Sequence, residues 1–124
     1  MSTVKVDTIK TTGNVEVYTC KAWVNFDGTQ AAASMIRASG NVSSITDLGT
    51  GRYTITFTNA LTDANYCVTS ACSPSGSTTM YSPLVFAGAP WSTAAPSTTA
   101  FSIVTNKNDT NVSDTSYITL AVFR

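Results

Sequence analysis

Asp47-Leu48-Gly49-Thr50-Gly51-Arg52-Tyr53-Thr54-Ile55-Thr56-Phe57-Thr58 is the stretch on which the fold turns. Tyr53, Ile55 and Phe57 alternate with Thr54, Thr56 and Thr58. In an extended chain that spacing puts aromatic and β-branched side chains on one face and hydroxyls on the other. Asp47 to Gly51 supplies the Asp and Gly residues that tight turns require, so the run folds back on the preceding residues 41–47. The sequence predicts a β-hairpin with one buried face.

Similar short runs recur on either side, at residues 22–26, 35–45, 65–72, 80–87, 100–106 and 116–123. Segments rich in Gly, Pro, Asn, Asp and Ser separate them, a pattern that predicts a sandwich or barrel of antiparallel strands. Only residues 29–36 resemble a helix, and they allow about two turns. Residues 88–99 form the longest irregular stretch, with Pro90, Trp91 and Pro96 among small residues, and read as a surface loop. Upstream, residues 1–20 read as an extended leader in which Val4, Val6 and Ile9 only loosely alternate. Thr11 to Asn14 form a turn or hinge, and Val15 and Val17 mark a short strand.

The 124 residues make one domain of modest core, with a leader over 1–20 and a sandwich over 21–124. Charge is unusually sparse: 11% of residues are Asp, Glu, Lys or Arg, against an ordinary ~25%. Thr, Ser, Asn and Ala take the polar positions, which suits a hydroxyl-rich sheet surface partly covered by other subunits. Formal net charge is zero and the basic residues are scattered, so the basic stripe of a nucleic-acid binder is missing. No apolar run reaches the ~20 residues of a membrane span. The N-terminal residues lack the charged and apolar regions of a signal peptide, predicting a protein retained inside the producing cell until assembly or lysis.

Chemistry is limited by inventory. Without histidine, the usual Ser-His or Cys-His nucleophile activation has no base, and the commonest metal ligand is missing. Cys20, Cys67 and Cys72 are too few for a disulfide framework or a tetrahedral zinc site, and read as small buried hydrophobes. An offset of five residues places Cys67 and Cys72 on opposite faces of a straight strand. A carboxylate pair could hydrolyse glycosidic bonds. However, Asp7, Glu16, Asp27, Asp47, Asp63, Asp109 and Asp114 nearly all sit in turn contexts that explain them. No catalytic, metal or cofactor residue is assigned. Trp23 and Phe26 sit among apolar neighbours and read as core. Pro90 and Trp91 are the candidate surface contact, for a saccharide or a neighbouring subunit, and Val4, Val6 and Ile9 the candidate assembly segment.

The block Lys21-Ala22-Trp23-Val24-Asn25-Phe26-Asp27-Gly28, followed by Ile36-Arg37-Ala38-Ser39, Asn41 to Asp47 and the Gly49-Thr50-Gly51 turn, resembles a module of virion structural proteins of tailed bacteriophages, particularly marine and cyanobacterial phages. Ala60 to Tyr66, Ser113 to Phe123 and the opening Ser2 to Ile9 share the resemblance; Gly40 stands where that module more often has an aromatic. The resemblance implies a non-enzymatic capsid decoration, head-fibre or tail-fibre protein. It also implies a homo-oligomer, a trimer by analogy with such fibres, that contacts other capsid or tail proteins on a virion assembled in the host cytoplasm. The alternative reading is an adsorption module that binds a host-surface carbohydrate through Trp91. The expected fold is an all-β antiparallel sandwich, jelly-roll-like, with an extended N-terminal leader.

Overall fold

A computed structural model describes residues 2–15, 17–76, 81–85, 95–107 and 111–124. Among them nine strands form two antiparallel sheets: β1 (Cys20–Phe26), β2 (Ile36–Gly40), β3 (Val42–Gly49), β4 (Arg52–Phe57), β5 (Cys67–Ser73), β6 (Tyr81–Val85), β7 (Ala100–Lys107), β8 (Asn111–Val112) and β9 (Tyr117–Phe123). The first sheet has the order β2-β1-β9-β5, and the second β3-β4-β7-β6 with β8 added beside β7. The helix-like stretch contributes a single 3₁₀ turn, Ala32–Ser34.

Strand alternation builds the core. In β4, Tyr53, Ile55 and Phe57 are buried and the intervening residues are half-buried. In β1, Ala22, Val24 and Phe26 are buried, and in β9 Ile118, Leu120 and Val122. These inward rows meet in one cluster between the sheets, with Met35 and Tyr66 added from the connections. Each large side chain removed from water there contributes about 1.5–3 kcal/mol. The all-β sandwich predicted from the sequence is therefore what the chain forms. Its pairing consists largely of hairpins (β1–β2, β3–β4 and β6–β7) closed by β1–β9, β4–β7 and β5–β9.

Four expectations need correction. The run over 35–45 is two strands, because Asn41 takes φ 55° and turns the chain from the first sheet into the second. Its side chain secures that corner: Nδ2 donates to Lys21 O (3.0 Å) and Asn59 O (3.2 Å), and Oδ1 accepts from Asn59 N (2.8 Å). Trp23 is no core residue; it stands 44% exposed on the outer face of β1. Cys20 and Cys67 are exposed and Cys72 half-buried, all three as free thiols, so the cysteines are not a buried set. Finally, Val15 and Val17 form no strand. Thr11 N donates to Val15 O and Val17 N to Ile9 O, closing a local turn around Asn14, whose φ is 66°.

Candidate functional site

The bulges and corners of the first sheet shape its outer surface. Between the pairs Asn25–Ala38 and Phe26–Ile36, Arg37 is the extra residue of a β-bulge, a device that re-aims a side chain. Its guanidinium donates to Asp27 Oδ2 (3.0 Å) and Asn25 Oδ1 (3.4 Å) and lies 4.6 Å from the centre of the Tyr117 ring. Burial alone would raise the Asp27 pKa. Donation from the Thr29 hydroxyl and amide, together with the Arg37 charge, outweighs it and holds the carboxyl below its ordinary value.

Beside this cluster runs a groove of about 500 Å³ across β1, β9 and β5. Trp23 and Asn25 of β1, Thr119 and Ala121 of β9, and Thr69 and Ala71 of β5 give it its outward side chains. Strand register puts Trp23 opposite Ala121, which is opposite Thr69, and Asn25 opposite Thr119, which is opposite Ala71. Trp23 is the single large side chain among them. Across β2 it faces Gly40, where a Cβ would clash with the indole Nε1. Glycine at that position lets the indole lie against the backbone.

The acidic residues act largely as the turn reading expects. Asp27, Asp47 and Asp63 each accept a backbone N–H two residues on, at 2.9, 2.8 and 2.8 Å. Asp114 does something the sequence does not reveal: its Oδ1 accepts from Gly51 N (2.7 Å) and from the Tyr53 hydroxyl (2.8 Å), tying the β3–β4 turn to the segment before β9. Burial, then the hydrogen bond and charge of Asp114, push the Tyr53 phenol far above its ordinary pKa. Among the described residues no group of three or more His, Cys, Asp or Glu could hold a metal ion, and no helix is long and apolar enough to cross a membrane.

Of the residues singled out from sequence, Pro90 and Trp91 lie outside the described residues, as do Glu16 and Asp109. Val4, Val6 and Ile9 are exposed, and residues 2–15 and 17–19 contribute no strand to either sheet. The outward Trp23 was available in the sequence, since Ala22, Val24 and Phe26 alternate with it. Comparison of the chain with protein-family models, with curated proteins and with solved structures gives no match.

Proposed function

We propose that the chain is a non-enzymatic structural component of a tailed-bacteriophage virion, a capsid decoration, head-fibre or tail-fibre protein that assembles as a homo-oligomer, a trimer by the resemblance. The observation that carries this reading is the N-terminal segment. Val4 (85% exposed), Val6, Ile9, Val15, Val17 and Tyr18 (73%) hold apolar surface in water outside the sandwich core. Six large apolar side chains within a stretch this short form the kind of surface that is normally covered by a partner. A segment presented this way suits attachment to a neighbouring subunit or to another virion protein, while the sandwich projects outward. The sequence resemblance over residues 21–66 and 113–123 supports the choice of a phage particle.

The test is a truncation. A chain lacking residues 1–14 should fold, stay soluble and fail to join particles, whereas incorporation at the level of the full chain would overturn the proposal. Cryo-electron microscopy of particles carrying the full chain then separates the roles: density on the head lattice marks a decoration or head-fibre protein, and density on the tail apparatus a tail-fibre or adsorption protein.

A further inference from the structure

We propose that the groove across the outer face of the first sheet is a binding site for a neutral saccharide, with Trp23 as its platform. The inference does not rest on the virion reading. A pyranose ring presents an apolar C–H face bounded by hydroxyls, so a site for it needs an exposed aromatic beside uncharged donors and acceptors. Trp23 is the aromatic: it is 44% exposed although it stands on β1, an interior strand of its sheet, between β2 and β9. The nearby Tyr117 is also half-exposed, but the Arg37 guanidinium lies over its ring. Trp23 is thus the aromatic that the groove leaves open.

The polar partners have the right character. None of the residues lining the groove is charged. Asn25 Oδ1 accepts from Arg37, which leaves the amide NH₂ as a donor. The Thr69 and Thr119 side chains stand exposed on the same face, where water can satisfy their hydroxyls and a sugar hydroxyl can replace that water. Small residues, Ala71 and Ala121, keep the floor low. A groove of about 500 Å³ lies within the ~300–1,000 Å³ range of ligand sites.

Rival occupants fit less well. An anion fits less well: no residue lining the groove is charged, and the neighbouring Arg37 is already paired with Asp27 at 3.0 Å and stacked on Tyr117. A second protein surface would need an apolar interface core within about 800 Å² per partner. Here the indole is the one large apolar side chain pointing out of the groove.

The experiment uses the full chain carrying Trp91→Phe, so that Trp23 is the sole tryptophan, on a printed array of neutral and anionic oligosaccharides. The strongest neutral ligand is then titrated by tryptophan fluorescence. We expect a shift of Trp23 emission on saturation. Trp23→Ala should weaken binding on the array at least tenfold, and Thr119→Val several-fold. Gly40→Ala should also weaken it several-fold, because the new methyl displaces the indole without removing it. Unchanged far-ultraviolet circular dichroism separates these losses from misfolding. The site assignment is overturned if no neutral saccharide binds or if Trp23→Ala binds like the parent. It is equally overturned if light scattering shows that Trp23→Ala breaks a homo-oligomer, which would make the groove a subunit interface. Particle incorporation of Trp23→Ala should be normal, so the fate of the virion proposal is read separately.

Discussion

Tyr53 spends a polar group inside the core, and its surroundings say what that group does. Its ring packs edge-on against Phe26 at 5.3 Å, while the hydroxyl lies 3.1 Å from Gly28 O and 2.8 Å from Asp114 Oδ1. Three segments distant in sequence are thereby pinned to one oxygen. Tyr53→Phe should keep the packing, leave those acceptors short of a donor and cost about 1–3 kcal/mol, measured by urea unfolding at pH 7. The same phenol predicts an alkaline limb. Because its pKa is raised in the folded protein, its contribution is complete below the unfolded value of about 10 and declines as pH rises above it. Between pH 10 and 11 the parent should lose stability more steeply than Tyr53→Phe; parallel curves would contradict the hydrogen-bond role. Asp63 behaves in the opposite sense. Bidentate donation from Arg124, at 2.8 and 2.7 Å, lowers its pKa from 3.8 to about 2. The stabilising contribution is full above pH 4 and is lost as pH falls through about 2. Asp63→Asn should flatten the acid limb across that window, and the carboxyl titration is directly observable by NMR.

Strands show which sequence signals survive folding and which do not. The alternation of β4 was legible because both of its faces obey one rule, apolar inward and hydroxyl outward, and the Asp47–Gly51 turn that precedes it carries its own chemistry. In the structure Asp47 Oδ1 caps Gly49 N at 2.8 Å, and Gly49 and Gly51 take φ 116° and 64°. The run over 35–45 misled for a physical reason. A corner is made by one residue's φ, and the bulge between Val42 and Ser44 then brings Val42 and Ile45, three residues apart, to the same buried side. Neither event has a periodicity. β7 was legible as a strand, yet Ser102, Val104 and Asn106 are buried as well as Phe101 and Ile103, and no alternation announces burial on both faces. The apolar neighbours of Trp23 suggest core, but its position in the alternation with Ala22, Val24 and Phe26 points it outward. Asn41 provides the test at this scale. Asn41→Ala loses three side-chain hydrogen bonds and must hold a left-handed backbone conformation, for an expected cost of about 2–4 kcal/mol. Asn41→Gly loses only the bonds and should be less destabilised by about 1 kcal/mol. Equal losses in chemical denaturation would mean that the corner is not held by its backbone conformation.

At the scale of the whole molecule, the stabilising contacts and the exposed apolar surface belong to different parts of the chain. The cluster that joins the sheets draws on β1, β3, β4, β7 and β9 together with the connections. Residues 2–15 contribute nothing to that cluster, and their backbone hydrogen bonds stay local, from Thr11 to Val15 and from Val17 to Ile9. Folding and attachment should therefore be separable. Removing residues 1–14 is expected to change the unfolding free energy by no more than about 0.5 kcal/mol, the scale of a surface change. Phe26→Ala empties a fully buried site between the sheets and should cost about 3–5 kcal/mol. The two variants thus make opposite demands on the same assay. In urea titrations the truncated chain should keep the parent's midpoint and slope, while Phe26→Ala keeps the slope and moves to a lower midpoint. Light scattering should show less self-association in the truncated chain, since Val4, Val6 and Ile9 are gone. A truncated chain that unfolds at markedly lower urea would place the N-terminal segment in the sandwich's own stability and remove the basis for treating it as a free attachment arm.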